Sequence, residues 1–270
     1  MVELQKKYQI NEREIGLVNW IGLWTLYKKE VLRFLTVWAQ TLFSPMITAI
    51  LFLFVLSLAI GNERADVLGV TFINFLAPGL IAMQIIQQAF SHSSSSIMIS
   101  KMQGNIVDML YPPLSPLEVT SAVIFAAVTR SLMIAVISIL VFSFLIDLEI
   151  KNYFYVTAFL VLSSFILGAA GFIAGLWAEK FDHMATVSNF FIVPLSFLSG
   201  TFYSIDKLPT ILQKISSINP FFYMIDGFRF GFIGESDGSI ILGLIYLLTL
   251  TILFWIISYV LFNKGYKIKS

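Results

Sequence analysis

The sequence predicts an all-α integral membrane protein: an N-terminal amphipathic helix in the membrane interface, then six transmembrane helices, with both termini cytoplasmic. Three observations predict it. Of 270 residues, 58% are hydrophobic and 12% charged, with a mean hydropathy of +0.86; a soluble domain carries roughly 45–50% apolar and about 25% charged residues. The apolar residues gather into runs of the ~20 needed to cross about 30 Å of hydrocarbon at 1.5 Å per residue. Lysine and arginine also divide unequally between alternate loops.

Residues 1–33 form a cytoplasmic N-terminus and the interfacial helix. Leu17, Trp20, Ile21, Trp24, Tyr27 and Val31 recur at helical spacing, while Asn19, Lys28, Lys29 and Arg33 fall outside the stripe. A helix with this pattern lies in the interface, its tryptophans at headgroup depth. Its apolar part runs into Lys28-Lys29-Glu30, not into the small-x-small site that ends a signal peptide.

The membrane domain covers residues 34–270. Span one, about 34–60, is interrupted by Ser44-Pro45, where a kink is expected. A polar loop with Asn62, Glu63, Arg64 and Asp66 leads to span two, about 72–100, the least apolar of the six. Residues 101–113 read as a polar, short-helical connector ending at Pro112-Pro113. Span three (about 117–146), a polar turn at 147–152 and span four (about 153–177) follow. A turn with Glu179, Lys180 and Asp182 precedes span five, about 185–203.

Residues 204–238 are neither a clean span nor a simple loop. Leu208, Ile211, Leu212 and Ile215 mark an amphipathic helix with Asp206 as its cap and Pro209 in its first turn. Asn219-Pro220 breaks it, and an aromatic, glycine-punctuated piece runs to residue 234. Span six, about 239–263, holds no charge and ends in a tail with Lys264, Lys267 and Lys269.

With the N-terminus cytoplasmic, that side holds Lys6, Lys7, Arg13, Lys28, Lys29, Arg33, Lys101, Lys180, Lys264, Lys267 and Lys269. The other side holds Arg64, Lys151, Lys207, Lys214 and Arg229. This bias sets the orientation, with the connector inside and residues 204–238 outside.

Several chemistries are excluded. There is no cysteine, hence no disulfide, zinc–thiolate site or thiol nucleophile. A net charge of +1 with dispersed basic residues argues against a nucleic-acid partner. No G-x-x-x-x-G-K-[ST] loop is present, so ATP has no phosphate cradle in this chain. His92 and His183 lie far apart, no acidic pair marks a membrane-embedded transferase, and no metal site is expected.

What remains is a set of polar positions inside the spans. Gln84, Gln88, Ser91 and Ser95 repeat at i, i+4, i+7 and i+11, flanked by Gln87, His92 and Ser94. Such a stripe either walls a substrate path or hydrogen-bonds between helices, and the sequence leaves both open. Arg130, about 18 Å along its helix from Glu118, needs a partner or a water pocket that the sequence does not name. Gly171-x-x-x-Gly175 with Gly168, and Gly227-x-x-x-Gly231, have the spacing of close helix approach.

Short runs in order along about 230 residues resemble those of ABC-2-type transporter permeases. They are Lys29-Glu30 with Arg33-Phe34; Gln40-Thr41 and Pro45; Phe75-Leu76-Ala77-Pro78-Gly79-Leu80-Ile81; and Lys101 and Gly104 leading to Leu110-Tyr111-Pro112-Pro113. Further on come Arg130, Leu198-Ser199-Gly200-Thr201-Phe202-Tyr203-Ser204 with Leu208-Pro209, and Asn219-Pro220-Phe221 through Asp226-Gly227-Phe228-Arg229-Phe230-Gly231. Within the family the chain is most similar to the bacterial drug, lipo-oligosaccharide and nodulation-factor export branch.

The resemblance implies a non-enzymatic half-transporter of the bacterial inner membrane: two copies of this chain, two copies of a separate ABC ATPase, and surrounding lipid. ATP and magnesium would bind in the ATPase and no cofactor in this chain. It implies ATPase contact through Lys101, Gly104, Ile106, Asp108, Met109 and Leu110, with Lys29, Glu30 and Arg33 of the N-terminal helix. Ile106, Met109 and Leu110 agree, as a small apolar face on an otherwise polar segment. The substrate, an amphipathic, lipid-linked, glycan or drug-like molecule, would pass the span-two stripe beneath an external cap containing Asp226 and Arg229. An ion-coupled secondary transporter is the alternative, and a membrane-embedded enzyme on lipid-linked substrates a more remote one. The first calls for inverted repeats and a buried carboxylate, whereas every Asp and Glu here falls at or beyond a predicted span end.

Overall fold

Side chains at the helix starts fix where five of the helices begin. In the computed structural model, which describes residues 16–60, 66–146 and 148–268, helix α1 (Trp20–Thr36) opens at Asn19, whose Oδ1 accepts from Gly22 N at 2.9 Å. The expectations at Lys6, Lys7, Arg13, Asn62, Glu63, Arg64, Asp147 and Lys269 lie outside the described residues.

A π-helical turn, Ala39–Phe43, joins α1 to α2 (Ser44–Ile60). Pro45 cannot donate, and its ring crowds the carbonyl four residues back. The wider turn, closed by Ser44 N on Ala39 O, accommodates it without breaking the helix. The apolar stretch long enough to span is therefore Ala39–Ala59, shorter at its start than the expected 34–60.

Helix α3 (Phe72–Met102) is the buried axis of the bundle, followed by the short α4 (Val107–Leu110). Helix α5 (Pro116–Leu145) starts on a capping box: Ser115 Oγ accepts from Glu118 N at 3.3 Å and Glu118 Oε2 from Ser115 N at 2.6 Å. Asn152 Oδ1 caps α6 (Tyr153–Trp177), accepting from Phe154 N at 3.1 Å.

The expected fifth span is offset and irregular. The chain there forms α7 (Phe181–Val187), a second π-helical turn Ser188–Ile192, and α8 (Val193–Leu198). Residues 199–203 are turn and bend. Pro194 stands just after this π turn, as Pro45 stands just after the first. Among the described residues five helices are long and apolar enough to cross a membrane: Ala39–Ala59, Phe72–Met102, Pro116–Leu145, Tyr153–Trp177 and Ile240–Asn263.

The stretch before the last helix also differs in detail. Asp206 does not cap a helix; it sits in a 3-10 turn, Ile205–Lys207. Proline pushes the residue before it into extended backbone, and Leu208 has ψ 154°. Helix α9 (Thr210–Ile218) starts only after Pro209. Helix α10 (Pro220–Ile233) begins at the Asn219-Pro220 break, Asn219 Oδ1 accepting from Phe221 N at 3.0 Å. Helix α11 (Ile240–Asn263) closes the fold and buries only Gly243, Leu247, Ser258 and Phe262.

Helix α1 does not lie flat across the bundle. Asn19 N donates to Glu118 Oε1 at 2.6 Å, Tyr27 OH meets Thr129 Oγ1 at 2.7 Å, and Phe34 packs with Ile134. Its contacts climb α5 from residue 118 to residue 134, about 24 Å of helix, so the two run side by side. A helix in the interface plane would touch a crossing helix at one level only. The buried face of α1 is Leu26, Glu30 and Phe34, and Trp20, Ile21 and Trp24 face outward.

Two glycines decide how closely the central helices approach. A Cβ on Gly171 of α6 would lie 2.3 Å from Phe90 O of α3, so backbone meets backbone there. A Cβ on Gly227 of α10 would fall 2.1 Å from the Phe159 ring of α6. Helix α6 is thus held between α3 and α10.

One end of the bundle gathers Leu26, Ile97, Ile106, Met109, Val119, Leu176, Phe262 and Ile268 into a single cluster. Helix α1, the connector and the end of the described chain share that end.

Candidate functional site

The span-two stripe becomes the wall of a cavity. Gln84, Gln88, Ser91 and Ser95 line a space of about 810 Å³ between α3 and the segment from Arg33 to Thr48, with Arg130 reaching in from α5. All four stripe residues meet there. The flanking residues divide: Gln87 shares the cavity, whereas Ser94 is buried on the α6 side, its carbonyl 2.8 Å from the Cβ position of Gly175.

Arg33 and Arg130 are held differently. Arg33 Nε donates to Glu30 Oε2 at 3.0 Å, and its other nitrogens reach His92 O at 3.1 Å and Ser95 Oγ at 3.5 Å. Glu30, 1% exposed, also accepts from Ser96 Oγ at 2.7 Å. Arg130 Nη2 donates to Gln88 Oε1, which identifies the partner that the sequence left unnamed. Its Nε is buried and makes no hydrogen bond.

Sequence reasoning missed the burial of Glu30. It stands before the first span, yet α1 runs along the bundle and carries it to α3. Asp226 is likewise buried, so a position outside a predicted span does not keep a carboxylate in water. The available signal was Glu30 four residues from both Leu26 and Phe34, on one helical face.

The connector divides between inward and outward groups. Ile106 and Met109 are buried in this chain's own cluster, so two of the three residues expected to form a docking face pack internally. Leu110 remains 44% exposed and Tyr111 83%, beside exposed Gly104 and Asp108. Lys101 Nζ turns back to donate to Leu176 O at 2.6 Å and Ala178 O at 2.8 Å, satisfying the carbonyls that end α6. Lys29 is exposed, and with Asp108 and Leu114 it lines a groove of about 510 Å³ between α1 and the connector. The lysines, carboxylates and apolar side chains expected on one docking surface are thus only partly brought together.

At the opposite end, Asp226 and Arg229 of α10 are both buried and fasten the neighbouring loops. Asp226 accepts from Asp237 N and Gly238 N, each at 3.0 Å. Burial pushes its carboxyl up to about 6, although the two amide donors and Arg229 favour the ionised form. Arg229 Nη2 donates to Gly200 O at 2.6 Å and Thr201 O at 3.3 Å, its guanidinium 3.8 Å from the centre of the Phe75 ring. It joins α10, α3 and the turn after α8.

A family model described as ABC-2 type transporter matches residues 22–233. The chain is 32% identical over 251 residues to the inner membrane transport permease YadH of Escherichia coli K12, covering 93% of this chain and 98% of that protein. It is 22% identical over 231 residues to nodulation protein J of Neorhizobium galegae, with 85% and 87% covered. The nodulation protein J of Rhizobium leguminosarum bv. viciae is also 22% identical, over 229 residues, with 84% and 87% covered.

Proposed function

The chain belongs to the ABC-2 type transporter family, and from that premise we propose that it is the membrane half of an inner-membrane exporter powered by a separate ATPase. Two copies of the chain assemble with two copies of an ABC ATPase, which binds ATP and magnesium. Both termini and the connector face the cytoplasm. The reading rests above all on the cavity: ten amide or hydroxyl side chains and two arginines converge within a bundle whose outer surface is apolar. Hydrocarbon offers such groups no hydrogen bonds, so a wall of them suits a path for a polar head. An amphipathic cargo would place that head against Gln84, Gln88, Ser91 and Ser95 and leave by the end that α10 covers.

The ATPase would engage the connector through the side chains left outside. Leu110, Val107 and Tyr111 are exposed beside Asp108, an apolar patch with a charged rim. Ile106 and Met109 anchor that patch to α1, α3 and α5, so a push on it is transmitted into the bundle. Leu110→Asp tests this. The charge falls on an exposed position, so the variant should insert and stay monodisperse while association with the ATPase weakens at least tenfold. Undiminished co-purification would remove the connector from the coupling surface.

A further inference from the structure

We propose that the cavity receives a phosphate-type oxyanion carried by an amphiphile, with Arg130 as its counter-ion. The inference rests on the permease reading and narrows its cargo. Its basis is the charge inventory of the wall. Arg33 is met by Glu30, and Glu30 is further satisfied by Ser96, so that pair is closed. Arg130 forms no ion pair among the described residues; its hydrogen bond goes to the neutral Gln88, and its buried Nε has no acceptor. Among the described residues, no Asp or Glu lines the cavity.

Position adds to the case. Arg130 stands halfway along α5, about 21 Å from Pro116, deep in a helix of 30 residues. An arginine at such depth faces a partner or a watery cavity. The protein supplies half a partner, the neutral Gln88, and sets the arginine in the cavity wall. A guanidinium presents a planar fork of donors that matches two oxygens of a phosphate. Gln84 and Gln87 add amide donors, and the exposed Val37 offers apolar surface to an attached chain. A volume of about 810 Å³ exceeds what an inorganic ion needs and lies in the range of roughly 300–1,000 Å³ that holds a drug-sized ligand.

Such an oxyanion has two sources, a transported amphiphile or an anionic lipid of the bilayer. The full chain in phosphatidylcholine nanodiscs would be titrated with radiolabelled dodecyl phosphate, dodecyltrimethylammonium and dodecyl maltoside, which share a chain and differ in head charge. Saturable binding of dodecyl phosphate alone is expected, weakened at least tenfold in Arg130→Gln and less in Arg130→Lys, which keeps the charge but loses the fork. Discs containing phosphatidylglycerol separate the sources: displacement of the probe identifies a resident lipid, retention a transported amphiphile, and the oxyanion assignment holds in both. Wild-type binding that ignores head charge, absence of saturable dodecyl phosphate binding, or an undiminished Arg130→Gln would overturn it. The three-probe comparison needs no variant, so a poorly folding Arg130→Gln does not blunt it. No ATPase is present in the assay, so a failure here leaves the half-transporter reading to its own test.

Discussion

Single residues show how burial redirects charges that look alike in the sequence. Lys101, Glu30 and Arg229 each read as a surface or interface group. In the fold Lys101 closes the end of α6, Glu30 neutralises Arg33, and Arg229 ties α10 to α3 and to the turn after α8. None of these roles was legible, because each depends on backbone carbonyls or helices distant in sequence. The Ser115–Glu118 capping box has a local signature, Ser-x-x-Glu before an apolar run, but the sequence reading did not use it. Asp226 yields a prediction with a definite sign. Its folded pKa of about 6 lies above the ordinary 3.8, so the folded state binds this proton more tightly and gains stability as pH falls through 6 toward 4. Between pH 8 and pH 5 the wild type should gain on the order of 1 kcal/mol relative to Asp226→Asn, which cannot titrate there. Parallel pH dependences of the two unfolding curves in detergent would contradict the assignment.

Elements were read well where periodicity is long and poorly where proline intervenes. Spans two, three, four and six agree with α3, α5, α6 and α11 to within a few residues. The first and fifth differ because Pro45 and Pro194 each follow a π-helical turn, which moves the boundaries without ending the helix. Helix α1 was placed in the interface on its Trp20–Trp24 stripe, but its buried Leu26–Glu30–Phe34 face dictates its packing on α5. The glycine spacings held: Gly171 meets α3 and Gly227 meets α6 at distances that leave no room for a Cβ. Gly171→Leu should therefore separate α3 from α6. Overpacking at a dense contact costs about 1–3 kcal/mol, and a backbone neighbour cannot rotate away as a side chain does. A lower thermal unfolding temperature in detergent is expected, and an unchanged one would mean that the two helices have slack.

Across the whole molecule the arrangement is a polar cavity in an apolar bundle, between two ends fastened in different ways. One end clusters α1, the connector and the end of the described chain; at the other, Asp226 and Arg229 secure the loops around α10. The polar stripe on α3 was visible from its spacing, and its cavity was not, because the opposite wall comes from residues 33–48 and from Arg130. The central claim is that this chain works only with a separate ATPase. Its most direct test is mild-detergent purification of the tagged chain from its native membrane, with native mass spectrometry of the complex. The account predicts two copies of this chain with two copies of an ATP-binding cassette protein. Reproducible recovery of the folded chain alone, from membranes in which it still moves its substrate, would contradict that claim and favour an ion-coupled carrier.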